Sequence, residues 1–129
     1  MIAEGGVGVT ISSQSGWRMP QLTAAEDEAL ATTPTEELLK LDILQPENIK
    51  DTLHAYQLAK RCNEKRVMAQ SVEWGRRRAR INAIAPGTAD EVANVAELLM
   101  SDKGAFITGS TFLIDGGATS SYFYEPLRP

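Results

Sequence analysis

The chain has 129 residues, of which 43% are hydrophobic, 23% charged and 6% aromatic. These values are typical of one small soluble domain and argue against a fibre, a disordered tail or two separate cores. The formal net charge of −4 lacks the basic excess of a general nucleic-acid-binding protein. The single cysteine, Cys62, excludes an internal disulfide and a multi-cysteine metal site, and one free thiol suits a reducing compartment.

The N-terminal residues Met-Ile-Ala-Glu-Gly-Gly contain neither a basic segment nor a long apolar run. This pattern predicts no signal peptide and no membrane anchor. Together with the free thiol, it predicts a cytoplasmic protein that binds neither membranes nor nucleic acids.

The basic residues are concentrated in one part of the chain. Eight of the 13 lie within residues 56–80: Lys60, Arg61, Lys65, Arg66, Arg76, Arg77, Arg78 and Arg80. Two interpretations of this band remain open. It is either a phosphate-binding surface or, as is more common, a solvated helix face whose last cations stabilise the negative end of the helix dipole.

The first predicted elements are a short strand and a mixed segment. Val7–Ile11 is mostly apolar and favours a buried parallel strand, which ends at the turn-forming residues 12–16. Within the mixed segment 17–46, residues 23–31 and 35–44 each favour a short helix. The segment has the character of an insertion or a lid.

From Pro46 the sequence predicts one long helix that ends at Gly75, because glycine is common at helix C-termini. The residues that recur at steps of three or four are Ile49, Leu53, Tyr56, Lys60, Asn63, Val67, Ser71 and Trp74.

Two further strands are predicted in the C-terminal part. Residues 80–85 favour a strand that ends at Pro86-Gly87, because proline interrupts a central ladder, and Thr111–Ile114 favours a third strand. A capping box of Thr88 and Glu91 begins the helix predicted between them.

Strands that alternate with helices predict an α/β fold, with a parallel sheet of about three strands and right-handed crossover helices. The apolar tail after residue 118 is expected to pack on a neighbouring surface, such as another subunit.

Three residues have the spacing of an acid–base site. Tyr56 and Lys60 are four apart and share one helix face. An ammonium beside a phenol stabilises the phenolate, which suits the tyrosine to general acid–base catalysis. Ser13 follows the first strand, at the edge where open α/β sheets bind ligands, and its hydroxyl can bond a substrate carbonyl or alkoxide.

Other candidate residues favour structural roles. Asp115 is expected to cap the last turn, and no metal site is predicted. Trp17, Met19 and Leu22 favour core packing over a substrate pocket, and His54 points away from the helix face of the tyrosine.

Five segments occur in a characteristic order: Val-Thr-Ile-Ser-Ser-Gln-Ser-Gly at 9–16, Tyr-Gln-Leu-Ala-Lys at 56–60, Ala-Arg-Ile-Asn-Ala-Ile-Ala-Pro-Gly at 79–87, Ser-Asp-Lys-Gly-Ala-Phe-Ile-Thr-Gly at 101–109 and Leu-Ile-Asp-Gly-Gly at 113–117. Together they closely resemble the second, catalytic half of a short-chain dehydrogenase/reductase. The resemblance covers residues 5–118 except for about 18–47.

This resemblance implies a partial Rossmann-type three-layer fold and an oxidoreductase that interconverts an alcohol and a ketone with NAD or NADP. It implies that Tyr56 is the proton donor or acceptor, that Lys60 stabilises the phenolate and holds the nicotinamide ribose, and that Ser13 orients the substrate carbonyl. Tyr56, Lys60, Pro86 and Gly87 would then contact the cofactor, whose hydride chemistry the protein orients.

The chain departs from the family pattern at three places. The N-terminal cofactor half, with its Gly-rich pyrophosphate-binding turn, is absent, so no residue that selects NAD or NADP can be assigned. Residues 18–47 are an insertion expected above the active site. The substrate loop is missing at 87–88, either because it is deleted or because the sequence joins two segments across it.

These departures make 1–129 a single domain that forms the C-terminal portion, or a fragment, of the family fold. A three-stranded sheet exposes an edge that invites pairing, so a homo-oligomer, a dimer or tetramer, or a partner carrying the first half is expected. The alternative function is a cofactor-free remnant that acts as an oligomerising or binding module.

Overall fold

The computed structural model describes residues 2–87 and 91–124. The elements in chain order are β1 (Val7–Ile11), α1 (Gln14–Arg18), α2 (Ala24–Thr32), α3 (Thr52–Gly75), β2 (Arg80–Pro86), α4 (Val92–Met100), β3 (Thr111–Ile114) and α5 (Ala118–Tyr124), with short 3-10 turns at Leu38–Lys40, Asp42–Leu44, Pro46–Asn48 and Asp102–Gly104. The predicted bounds of the first and third strands are confirmed. The predicted capping box at Thr88 lies outside the described residues.

The three strands form one parallel sheet in the order β1-β2-β3. The central strand β2 is buried from Ile81 to Ala85, as its nearly continuous apolar sequence requires. It also includes Pro86, where the strand was predicted to have ended. Along a parallel strand, the backbone amides of alternate residues point to opposite neighbours. The amides of Ala83 and Gly87 donate towards β3, so the backbone nitrogen of Pro86 points to the β1 side. There β1 has already ended at Ile11, and the missing N–H of proline costs no ladder bond.

Helices cover both faces of the sheet. On one face, Ile81 and Ala83 of β2 pack with Val67 of α3. Successive strand residues point to opposite faces, and the guanidinium of Arg80 accordingly donates to the Leu99 carbonyl at the end of α4. The sheet therefore lies between α3 and α4, as the middle of three layers.

The two crossover connections have opposite hands. The strands follow one another in chain order, yet the crossover helices α3 and α4 lie on opposite faces. Two consecutive parallel crossovers in the same direction share a hand only when their helices share a face. The prediction of right-handed crossovers thus holds for one connection and is wrong for the other.

Helix α3 begins at Thr52 rather than at Pro46. The carboxylate of Asp51 accepts from the His54 amide at 2.7 Å and caps the helix. Pro46 instead begins a 3-10 turn. The helix ends at Gly75, as predicted.

Residues 35–44 form two 3-10 turns instead of the predicted helix. Leu41 and Gln45 adopt extended conformations that end each turn. The side-chain Nε2 of Gln45 donates to the backbone carbonyls of Leu39 and Leu41 at 2.9 and 3.0 Å. The side chain satisfies these carbonyls locally, so no helical ladder is needed.

Helix α2, which the capping box of Thr23 and Glu26 begins, packs along α3. Its Leu30 is fully buried, and the Sγ of Cys62 on α3 lies 3.6 Å from the Leu30 carbonyl. Asp27 is 3.1 Å from the Arg61 guanidinium and 2.8 Å from the Lys65 ammonium. The segment predicted to form a lid is therefore held beside α3 by a buried leucine and a triad of charges.

Asp27 makes this contact dependent on pH. Partial burial raises the pKa of its carboxyl, but hydrogen bonds and charges from Arg61 and Lys65 outweigh burial, and the pKa is lowered. A lowered pKa in the folded state stabilises the protein above the unfolded pKa, and this stabilisation disappears as pH falls through the folded pKa.

We expect Asp27→Asn to lower the free energy of unfolding by about 1–2 kcal/mol at neutral pH, since it leaves two partly buried cations without their acceptor. The difference from the wild type should vanish as the pH is lowered below about 4. Urea unfolding at several pH values measures it. Glu28→Gln, on the exposed side of the same helix, is the control and should have little effect. A pH-independent loss would contradict the assigned charge pairing.

Most of the basic band is engaged within the protein. Arg66 donates to the Thr33 carbonyl at 2.7 Å, just beyond the end of α2. Arg76 pairs with Glu73, and Arg78 with Glu4. These contacts favour the interpretation of the band as a solvated helix face with local partners.

The C-terminal helix α5 packs on its own chain. The Asp115 carboxylate accepts from the amides of Gly117 and Thr119 at 3.0 and 2.8 Å, which confirms the predicted cap. Arg18 of α1 lies over the Tyr122 ring, 5.3 Å from its centroid, while Tyr124 remains 87% exposed. Part of the apolar tail is thus covered by α1.

Candidate active site

All five predicted site residues line one cleft at the carboxyl edge of the sheet. Its volume is about 490 Å³, and its lining consists of Ile11, Ser12, Ser13, Gln14, Tyr56, Lys60, Pro86, Gly87 and Val92. The carboxyl ends of β1 and β2 supply one wall, and α3 supplies Tyr56 and Lys60. No described residue of segment 18–47 lines this cleft.

Ser13 joins the end of β1 to α1. Residues 12–16 were predicted to be a turn, but Ser13 is the N-cap of a short helix, and its Oγ accepts from the Ser15 amide at 3.2 Å. This bond uses a lone pair of the hydroxyl and leaves its hydrogen available to donate to a ligand oxygen.

Tyr56 and Lys60 are adjacent on the same face of α3. The Lys60 Nζ lies over the tyrosine ring, 5.4 Å from its centroid, and donates to the Ile11 carbonyl at 3.3 Å. This bond ties the ammonium to the end of β1. The positive charge is consequently held beside a phenol that is about half exposed to the cleft.

The Pro86-Gly87 wall of the cleft requires glycine. A Cβ at Gly87 would lie 2.7 Å from the Cβ of Asp115 and 3.2 Å from Oε1 of Gln14. The Gly87 amide donates to the Ile114 carbonyl at 2.8 Å. Gly87 is therefore packed closely against Asp115 and Gln14, and its backbone is bonded to the end of β3.

A buried polar pair behind the cleft was missed by the sequence analysis. Ser12 Oγ lies 2.8 Å from Oε1 of Glu64 and 2.9 Å from the Lys60 carbonyl. Burial raises the pKa of the Glu64 carboxyl and outweighs the Ser12 hydrogen bond and the nearby Arg61 charge. Its position four residues after Lys60, on the same helix face, was the available signal.

Trp17 and Met19 line a second cleft of about 510 Å³, beside α5. Met19 is buried, as predicted for a core residue, whereas Trp17 is 42% exposed. The two clefts are connected by Gln14 of the first, which accepts a hydrogen bond from Arg18 of the second at 2.8 Å.

Within residues 2–87 and 91–124, no three His, Cys, Asp or Glu side chains are grouped so that they could hold a metal ion. Over the same residues, none of the helices combines the length and apolar character needed to cross a membrane.

The most informative curated relative is the short-chain dehydrogenase/reductase bsc3 of Alternaria brassicicola, which is 32% identical over 92% of this chain and 55% of its own length. No family model matches the chain. The chain thus spans about half the length of this relative. The alignment extends over 151 positions, more than the 129 residues of this chain, so the relative has residues within the aligned region that this chain lacks.

Solved structures show the same half-length similarity. A 4-hydroxyisoleucine dehydrogenase complexed with NADH and succinate is 25% identical, with a TM-score of 0.58 over 90% of this chain and 45% of its own. The fold is also that of the 3-alpha-hydroxysteroid dehydrogenase from Pseudomonas sp. B-0831, complexed with NADH, at 22% identity and a TM-score of 0.66 over 95% of this chain and 58% of its own.

The fold is thus an α/β fold of the Rossmann type. The chain belongs to the short-chain dehydrogenase/reductase family and corresponds to about half of a family member, consistent with the C-terminal half.

Proposed function

We propose that residues 1–129 are the C-terminal portion of a longer protein, which we call the full-length protein. This protein interconverts an alcohol and a ketone with NAD or NADP, at the cleft that contains Ser13, Tyr56 and Lys60. The observation that carries this proposal is the convergence of a free hydroxyl donor, a phenol and an ammonium in one cleft at the ligand-binding edge of the sheet.

Each of the three residues has a definite role in this proposal. In the direction of reduction, Tyr56 Oη transfers its proton to the carbonyl oxygen, and in oxidation it receives the proton back. The Lys60 ammonium, held by the Ile11 carbonyl, stabilises the phenolate between these steps. The Ser13 hydroxyl donates to the same substrate oxygen and orients it.

The residues present fit the nicotinamide end of the cofactor. An ammonium and a phenol are suitable partners for ribose hydroxyls, and Pro86 and Gly87 line the same cleft as a wall for the nicotinamide ring. The cofactor, when bound, supplies or accepts the hydride. The sequence contains no Gly-rich turn for the pyrophosphate, so this chain is assigned the nicotinamide end only.

The proposal includes the organisation of the domain. Residues 1–129 are taken as the C-terminal portion of the fold, with an insertion at 18–47 and a substrate loop missing at 87–88. The alignment with the Alternaria brassicicola relative is longer than this chain, as the absence of a segment from this chain requires. The outer edge of β1 has no neighbour among the described strands, which supports a partner that carries the first half, or a homo-oligomer. We place the protein in the cytoplasm.

Cofactor binding tests the proposal before any substrate is known. We expect the full-length protein to bind NADH or NADPH, and Lys60→Met to weaken the better of the two by about tenfold or more, since a charge-assisted hydrogen bond to the ribose is lost. Fluorescence titration measures both affinities. Lys103→Met, at an exposed lysine outside the cleft, is the matched control.

A second candidate function is a cofactor-free oligomerising or binding module. It is favoured by Ile11, a large apolar residue that is 46% exposed at the end of β1, an edge strand of the described sheet. If the full-length protein binds neither nicotinamide cofactor in the titration, the oxidoreductase proposal is wrong and this module is the remaining candidate. Binding that Lys60→Met weakens contradicts the module.

A further inference from the structure

Beside the cleft, whose lining includes Ser12, the buried hydroxyl of this residue joins the end of β1 to helix α3. Ser12 is 2% exposed and Glu64 is 4% exposed. Ser12 Oγ lies 2.9 Å from the Lys60 carbonyl oxygen and 2.8 Å from Oε1 of Glu64. Both distances are those of full hydrogen bonds.

The number of hydrogens decides the protonation state of the carboxyl. A serine hydroxyl has one hydrogen, whereas a carbonyl and an ionised carboxylate only accept. If Glu64 were ionised, the single Ser12 hydrogen would have to be shared between the two acceptors, which weakens both bonds. If Glu64 is neutral, its O–H donates to Ser12 Oγ, and the Ser12 O–H donates to the Lys60 carbonyl, so that both contacts are satisfied.

The surroundings of Glu64 include charges of both signs. Arg61 and Lys65 lie on the same helix, and both are paired with Asp27 of α2, while the Lys60 Nζ is turned towards the Ile11 carbonyl. One carboxylate thus faces two cations, and the remaining positive charge lowers the pKa of Glu64 by less than burial raises it.

Helix α1 packs closely against the carboxyl group. A Cβ at Gly16 would lie 2.8 Å from Glu64 Oε1, so the backbone of α1 lies directly over this oxygen. The close packing and the 4% exposure of Glu64 disfavour the charged form of its carboxyl.

We propose that Glu64 is a neutral carboxylic acid in the folded protein at neutral pH and that, through Ser12, it positions Ser13 against Lys60 and Tyr56. Ser12 is the immediate neighbour of Ser13, and the Ser12 hydroxyl bonds the backbone of Lys60 itself. The pair thus sets the distance between the strand that carries one site residue and the helix that carries the other two. Glu64 is a positioning residue and does not line the cleft.

The protonation state is tested by infrared difference spectroscopy of the full-length protein at neutral pH. We expect the carbonyl-stretch band of a protonated carboxyl in the wild type, and its loss in Glu64→Gln. Glu97→Gln, at an exposed glutamate of α4, should leave the band in place. A wild type without this band, or a band that survives in Glu64→Gln, would overturn the proposal.

Thermal unfolding tests the same state by another route. A carboxyl whose pKa is raised in the folded protein stabilises fully below its unfolded pKa, and this contribution is lost as pH rises towards the folded pKa. The Tm of Glu64→Gln minus that of the wild type should therefore increase from about pH 4.5 to neutrality. A constant or decreasing difference contradicts a neutral Glu64.

The positioning role rests on the proposed oxidoreductase function and is tested by rescue. Glutamine also donates to Ser12, so Glu64→Gln should keep kcat within about threefold of the wild type, whereas Glu64→Ala and Ser12→Ala should lower it by about tenfold or more at unchanged cofactor Kd. Equal losses in the glutamine and alanine variants would refute positioning by a neutral donor. The infrared and thermal measurements need no activity, so they separate failure of this inference from failure of the proposed function.

Discussion

Replacing Tyr56 by phenylalanine is expected to lower kcat of the full-length protein by about 10³-fold, within the range for loss of a general acid–base group. The substitution removes only the hydroxyl, so the aromatic ring that the Lys60 ammonium contacts at 5.4 Å remains in place. The Kd for NADH or NADPH should rise far less, by about tenfold at most, because one neutral hydrogen bond to the ribose is lost while the lysine keeps its position. Steady-state kinetics and cofactor titration on the same preparation measure both quantities.

The matched control is Tyr124→Phe, which removes a hydroxyl from an exposed tyrosine of α5. We expect it to retain both activity and cofactor affinity. A Tyr56→Phe enzyme that keeps the wild-type kcat would show that the proton is transferred by another group.

Replacing Asn82 by alanine is expected to have the largest effect on stability, a loss of about 2–5 kcal/mol in the free energy of unfolding. Asn82 is fully buried in β2. Its Nδ2 donates to the Ile107 carbonyl at 2.9 Å, and its Oδ1 accepts from the Ser110 amide at 3.1 Å. Alanine leaves both backbone groups buried without a partner, and the loop that leads into β3 loses its attachment.

Urea unfolding of the two proteins measures this loss. Asn94→Ala, on the exposed surface of α4, removes the same side chain outside the core and should change stability by less than about 0.5 kcal/mol. Similar effects at the two positions would contradict the bridging role of Asn82.

Local sequence patterns were sufficient for much of the sheet. The apolar run Val7–Ile11 and the segment Thr111–Ile114 are flanked by glycine or serine turns, and both strands have the predicted bounds. The helix end at Gly75 follows from a residue type with a strong preference for helix C-termini. The apolar pattern of a strand and the residue that ends a helix depend only on neighbouring residues, so both can be predicted from a single sequence.

The same patterns failed where side chains compete with the helical ladder. Residues 35–44 have helix-forming composition, but the Gln45 amide binds the carbonyls of Leu39 and Leu41 in a non-helical arrangement. The start of α3 was placed too early because apolar spacing continues through Ile49, whereas the cap at Asp51 determines the first turn. The hand of each crossover depends on how the whole sheet is assembled, and a short stretch of sequence does not show it.

The predicted site residues were found from motif order, but their supports were not. Ser12 and Glu64 are 52 positions apart, and Asn82 bonds residues 25 and 28 positions away. Periodicity shows that a polar residue is on a buried face, but it does not show which partner satisfies it. Buried polar contacts between distant segments therefore became visible only in the folded chain.

A crystal structure of the full-length protein with NADH or NADPH bound tests the central claim most directly. The account predicts the nicotinamide ring in the cleft beside Pro86 and Gly87, the ribose hydroxyls on Lys60, and an open position for a substrate oxygen between Ser13 and Tyr56. A cofactor bound elsewhere, or a cleft filled by other residues of the protein, would contradict it.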